Sequence, residues 1–204
     1  MSIITCRSHL SQVSSEHSKG QATENLVHYI GGNSGTWRIT NAVTHSGEAL
    51  KPATHVEIVN GRLTRLPAKS AWALRAVVST TRYITREEPR HSESLRSAWQ
   101  NTDSSSAALL LVRKSAAWRS LDQVQRREML EARSKQIATR LRFLPAIARR
   151  LCFRRDLGDP FDFVVWFEFC ARDTAVFDDL VAAMRSSEEW LYVEREIDIR
   201  LTRD

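Results

Sequence analysis

Residues 161–169 read FDFVVWFEF, with seven apolar side chains in nine positions. Phe, Val and Trp in so short a run favour a strand over a helix, and the Gly158-Asp159-Pro160 turn ahead of it marks where the strand begins. The run lacks the polar alternation of a half-solvated strand. Both of its faces must therefore be covered, which predicts a central strand with a layer on either side.

Working outward from it, LCFRRDL (151–157) and AALLLVRKS (107–115) read as two further strands. Between them Ser120 with Gln123 has the spacing of a capping box and predicts the start of a long helix. That helix is expected to run through RSKQIATRLRFLPAIARR (133–150), with a break near Leu144 forced by Pro145. After the central strand, Asp173 is placed to cap a second helix, whose Phe177, Leu180, Val181 and Met184 fall on one face. The closing YVEREIDIRLTR (192–203) alternates: Val193, Ile197, Ile199 and Leu201 point one way, and Glu194, Glu196, Asp198 and Arg200 the other.

The order from residue 107 is thus β, long α, β, β, α, β, the split ferredoxin-like arrangement, and the fold class expected is α+β. The first half reads as strands at GTWRITNAVT (35–44), THVEIVNGRL (54–63) and WALRAVVSTTRYITR (72–86). It resembles a trimmed copy of the same unit. The expected organisation is a flexible extension over 1–25, a strand-rich half-lobe over 26–106 with a serine-rich linker at 87–106, and a ferredoxin-like lobe over 107–204. An exposed sheet face on such a lobe is covered by helices or by another sheet, so two fused lobes closing on each other, or a dimer, is the natural outcome.

Composition bounds the function. The chain has 204 residues, 42% of them hydrophobic, enough for a sizeable core. No apolar run reaches the 18 or more residues of a membrane span. The opening residues carry no basic region followed by an apolar core, so no secretory signal is read and a cytoplasmic location is expected. Cys6, Cys152 and Cys170 are odd in number, without a CxxC pair, and suggest neither disulfides nor a metal site. The net charge of +6 is concentrated between Arg113 and Arg155, where thirteen Lys or Arg face Asp122, Glu128 and Glu131. Such a stretch suits a solvated helix face or a pocket for a small anion; no aromatic platform or DNA-binding motif accompanies it, which argues against nucleic acid.

LPAIARRLCFRRDLGDPFDFVVWFEF (144–169), FDDLVAAMRSSEEWLYVEREIDIRL (177–201) and RREMLEARS (126–134) together resemble the chlorite dismutase family, in particular its short dimeric branch. GTWRI (35–39) and residues 72–86 fit the same branch, and the similarity spans roughly 28–203. The resemblance implies a homodimeric α+β barrel with haem b in the C-terminal lobe and the conversion of chlorite to chloride and dioxygen. It requires a proximal histidine on the long helix, a carboxylate that makes the imidazole a stronger donor, and an arginine thirteen residues after the histidine to hold an oxychlorine anion.

Carried over by position, the arginine is Arg149, and the carboxylate is Glu189, with Glu188 the competitor if the register slips by one. The ligand position is Gln136. His9, His17, His28, His45, His55 and His91 all precede residue 92 and read as surface or turn positions. An amide oxygen is a weak neutral donor to ferric iron beside an imidazole. Gln136 and Arg149 are expected to line one cavity, with Glu189 in hydrogen-bonding reach of Gln136. Trp118, Trp166 and Trp190 are expected to pack the core and the walls of the haem-type pocket. Two functions stay open: a haem enzyme whose chlorite reaction is weakened or lost, and a non-catalytic relative that binds another small anion or ligand or acts as an interaction dimer. The family's haem-synthesis relatives, which handle coproporphyrin-type substrates, stay open as a functional guide.

Overall fold

The computed structural model describes residues 26–78, 104–141, 148–153 and 160–203, with side chains described for all of these except 133–141 and 148–153. Its strands are β1 (Leu26–Gly32), β2 (Trp37–Ser46), β3 (His55–Asn60), β4 (Trp72–Val78), β5 (Ser106–Lys114), β6 (Ala148–Phe153), β7 (Phe163–Phe169) and β8 (Val193–Arg203). They close into a barrel in the order β1-β3-β2-β8-β5-β7-β6-β4, and every pairing is antiparallel. The helices are α1 (Ala116–Ser120), α2 (Gln123–Leu141) and α3 (Thr174–Arg185), with 3-10 turns at Ala171–Asp173 and Glu188–Tyr192. None of the described helices is long and apolar enough to cross a membrane.

Read by halves, the barrel repeats itself. In β8-β5-β7-β6 the first strand of the quartet lies between its fourth and third, and the third continues to the second. The quartet β4-β1-β3-β2 has the same order, and the two meet where β2 pairs with β8 and β4 with β6. The second quartet is the expected ferredoxin-like sheet, and the first repeats its strand order.

Residues 163–169 of FDFVVWFEF form β7, which lies between β5 and β6. Its two faces go to different cores. Val164 and Trp166 enter the barrel interior, where Trp166 packs against Tyr29 at 5.8 Å and edge-on to Trp37 at 5.3 Å. Val165, Phe167 and Phe169 face α3, whose Phe177 stacks on Phe169 at 4.4 Å. β5 divides in the same way: Leu109 and Leu111 go inward, Ala108 and Leu110 under the helix. Each large side chain so buried contributes about 1.5–3 kcal/mol of transfer free energy, so a run apolar on both faces holds two layers at once.

Several sequence expectations are corrected. Arg149 is not helical: it lies in β6, paired with Phe167 of β7. Pairing with the apolar β7 overrides a local pattern that continues the helix. The expected bend at Pro145 falls in 142–147, outside the described residues, as do 1–25 and 79–103. The long helix opens two residues later than its Ser120–Gln123 signal, because α1 ends at Ser120. The box that forms joins Asp122 and Gln125: the Gln125 N–H donates to Asp122 Oδ1 at 2.8 Å, and the Asp122 N–H to Gln125 Oε1 at 3.2 Å.

β8 does bury Ile197, Ile199 and Leu201, with Val193 half-buried, but its other face is not solvated as expected. Glu196 and Asp198 are buried there, paired to Arg185 from the last turn of α3. β1 was not expected as a strand at all. It is buried almost throughout, and it takes His28 into the fold rather than leaving it at the surface.

Candidate functional site

Lys114 ends β5 on the side of the sheet that carries Leu110, under the helices. Its backbone is fixed from β7's approach: the Lys114 N–H donates to Asp162 Oδ2 at 2.7 Å, and the Asp162 N–H returns to the Val112 carbonyl at 2.9 Å. The β5–β8 register shifts at this point, Arg113 facing Arg195 and Lys114 facing Val193. The extra residue, Glu194, turns outward to Arg113 at 2.7 Å. The strand end is thereby pinned, and the Lys114 side chain is 0% exposed.

Its partner comes from the turn after α3. Ser187 Oγ donates to the Met184 carbonyl at 2.7 Å, and the Trp190 N–H to the Ser187 carbonyl at 2.9 Å, folding Glu188–Tyr192 into a tight turn. That turn leaves Glu188 exposed and drives Glu189 inward to 1% exposure. Lys114 Nζ lies 2.7 Å from Glu189 Oε1 and donates to the Glu189 carbonyl at 2.9 Å. Two indoles flank the ammonium, Trp118 at 4.7 Å and Trp190 at 5.7 Å from Nζ. The Trp118 ring lies 5.6 Å from that of Tyr192, and the Ser115 N–H donates to the Tyr192 carbonyl at 2.8 Å, closing the turn onto β5.

A second polar group adjoins the first. Trp190 Nε1 donates to Glu196 Oε2 at 2.8 Å, while Arg185 Nε donates to Glu196 Oε1 at 2.7 Å and Arg185 Nη2 to Asp198 Oδ2 at 3.0 Å. Arg200 holds Asp198 from the other side at 2.6 Å and reaches Asp178 of α3 at 2.7 Å. Burial alone would lower the Arg200 pKa, but Asp198 and then Asp178, hydrogen-bonded and ion-paired to its guanidinium, raise it above its ordinary value.

Of the expected site residues, Glu189 is a buried acid. Gln136 lies on α2 and Arg149 on β6, and their side chains are outside those described, so their expected shared cavity and the Gln136–Glu189 hydrogen bond are too. α2 packs against the turn that carries Glu189. The three tryptophans divide: Trp166 fills the barrel interior, and Trp118 and Trp190 wall the Lys114–Glu189 pair. Lys114, Asp162 and Glu196 were not foreseen. The signal that could have found Lys114 is a lysine at strand parity with buried leucines.

Among the described residues, the donors on α2 and on the turn that faces it do not fit an iron-ligated haem. α2 contains no imidazole, thiolate or phenolate along Gln123–Leu141, and the acid on the facing turn is ion-paired to an ammonium. Among the described residues no group of three or more His, Cys, Asp or Glu could hold a metal ion. What the arrangement does offer is a dry, charge-neutral pair between indoles.

The chain is similar to a dimeric chlorite dismutase from Nitrobacter winogradskyi, with 41% identity, a TM-score of 0.74, and coverage of 87% of this chain and 99% of that one. A chlorite dismutase from Candidatus Nitrospira defluvii, in complex with imidazole, has 15% identity at a TM-score of 0.60, covering 92% of this chain and 95% of that one. This second likeness is one of fold alone. No protein-family model matches the chain, and no curated protein matches it.

Proposed function

The chain belongs to the chlorite dismutase family, and from that premise we propose that it is a homodimeric member whose C-terminal quartet keeps a ligand-binding lobe but has lost iron-ligated haem b chemistry. The observation that carries this is Gln136, thirteen residues before Arg149 on the helix that packs against the Glu189 turn. Without an imidazole, protein and iron lose their main coordinate bond, and Glu189 has no ring N–H to polarise. Conversion of chlorite to chloride and dioxygen is weakened or absent. The similar Nitrobacter structure, described as dimeric, supports the homodimer.

Haemin titration of the purified protein, followed at the Soret band, with oxygen evolution from chlorite measured alongside, tests this. The wild-type chain is expected to bind haemin weakly and to release little oxygen. Gln136→His is expected to tighten binding and raise oxygen release, because Glu189 and Arg149 stand at the family's positions. Wild-type turnover matching that of the Gln136→His variant overturns the proposal.

A second reading, a site for a small oxyanion, is favoured by the charge around Arg149. Arg149 pairs with Phe167 of β7 at the backbone, and the basic stretch from Arg113 to Arg155, thirteen Lys or Arg against three acids, suits a small anion. In that reading Arg149 meets the anion. Calorimetric titration with nitrite, as an unreactive relative of chlorite, should then give heat in the wild type and none in Arg149→Ala.

A further inference from the structure

We propose that Glu196 is a positioning residue for the buried Lys114–Glu189 pair, acting through the indole of Trp190. Its bearing on a ligand rests on the reading of this lobe as a ligand-binding site.

The argument starts from register. β5 and β8 pair Lys114 with Val193 and Val112 with Glu196, so Glu196 stands one same-face step along the sheet from Lys114. It is 4% exposed, and its two oxygens have different tasks. Oε1 accepts from Arg185 Nε at 2.7 Å and Oε2 from Trp190 Nε1 at 2.8 Å. The indole has a single polar atom, its Nε1–H, and Glu196 holds it. Trp190 follows Glu189 in the same 3-10 turn, and its ring is one of the two that flank the Lys114 ammonium. Fixing the ring therefore fixes one wall of the pair and the backbone that carries the carboxylate.

The rest of the group keeps Glu196 oriented. Arg185 is tied to Asp198 at 3.0 Å, and Asp198 to Arg200 at 2.6 Å, so the guanidinium facing Oε1 cannot swing away without breaking a second ion pair. Asp198 fastens α3 to β8 equally well but makes no hydrogen bond to Trp190 in this network. A role limited to anchoring α3 thus predicts the same consequences for losing Glu196 or Asp198. A positioning role predicts different ones.

The lysine side chains give a readout that separates the two. The chain has five lysines, Lys19, Lys51, Lys69, Lys114 and Lys135. Of these, Lys114 sits between two indoles, so ring currents displace its ε-methylene resonances. With lysine-selective carbon-13 labelling, that signal is assigned by elimination, replacing the other four by arginine one at a time. Glu196→Met, which removes both acceptors, is expected to move the Lys114 signal toward the unshifted lysine position. Glu196→Gln, which keeps one acceptor, should move it less and provides the readout if the methionine variant does not fold. Asp198→Asn should lower the melting temperature and move the signal less than either Glu196 variant, since it leaves the Glu196–Trp190 hydrogen bond in place.

A Lys114 signal unmoved in the Glu196 variants, or moved equally by Asp198→Asn, overturns the inference. Haemin titration of the same variants is expected to show weaker binding for Glu196→Met than for Asp198→Asn. A signal that moves while haemin affinity stays unchanged overturns the reading of this lobe as the ligand site, and leaves the positioning of Lys114 by Glu196 standing.

Discussion

Lys114 shows how a single residue escapes a reading of sequence. At the end of AALLLVRKS it looks like the charge that terminates a strand, and its partner Glu189 is 75 residues further on. Its strand parity with buried leucines is a local hint, but parity alone does not separate a solvated lysine at a strand end from one that is wholly enclosed. The enclosure has a measurable consequence, because removing one member of a buried pair leaves the other charged and dry, at a cost of about 3–5 kcal/mol. Lys114→Met or Glu189→Gln should lower the urea midpoint accordingly, and the double variant Lys114→Met with Glu189→Leu should recover much of the loss. Equal, additive losses in the double variant would contradict this account. At Gly31 the constraint is steric: a Cβ there would lie 2.0 Å from Trp72 Cε2, against the ring of its own β4 partner. Gly31→Ala should cost about 1–3 kcal/mol in denaturant unfolding, as overpacking does, with the far-UV spectrum of the folded state unchanged.

At the scale of elements, the opening of α2 gives a clean comparison between two adjacent candidate caps. Asp122→Ala removes an acceptor that the Gln125 N–H uses at 2.8 Å and should cost about 1 kcal/mol in thermal or urea unfolding. Ser120→Ala should cost less, since its hydroxyl donates back to the Ala117 carbonyl inside α1 and caps nothing. The order of elements was legible because β5, β7 and α3 carry strong, uninterrupted apolar patterns. Their neighbours were less so, and for identifiable reasons. Arg149 continues a helical spacing in IARR, and only pairing with β7 makes it a strand residue. Glu196 and Asp198 alternate with Ile197 and Ile199 as a solvated face would, until Arg185 of α3 arrives from eleven and thirteen residues upstream to pair with them. In the candidate site, Glu189 could be named because its position follows from the family resemblance. Trp190 was expected at a pocket wall, whereas Lys114 and Glu196 around it could not be named, since their relation is tertiary.

At the scale of the whole molecule, the two quartets share one interior, and this decides how the chain should unfold. Trp37 of the first quartet meets Trp166 of the second edge-on at 5.3 Å, and Tyr29 packs on the same indole at 5.8 Å. β2–β8 and β4–β6 close the ladder between the halves, so separating them would open four strand edges and expose both sides of the aromatic contact. Halves with private cores would melt separately; halves that share a core cannot. A single calorimetric transition is therefore expected, with its van't Hoff and calorimetric enthalpies equal and with near- and far-ultraviolet dichroism changing together. Trp37→Ala and Trp166→Ala, one in each half, should each destabilise by about 3–5 kcal/mol and shift that one transition as a unit. Two resolved transitions, or a Trp37→Ala variant that moves one spectroscopic signal and leaves the other in place, would mean that residues 26–106 and 107–204 fold as independent domains and meet only afterwards.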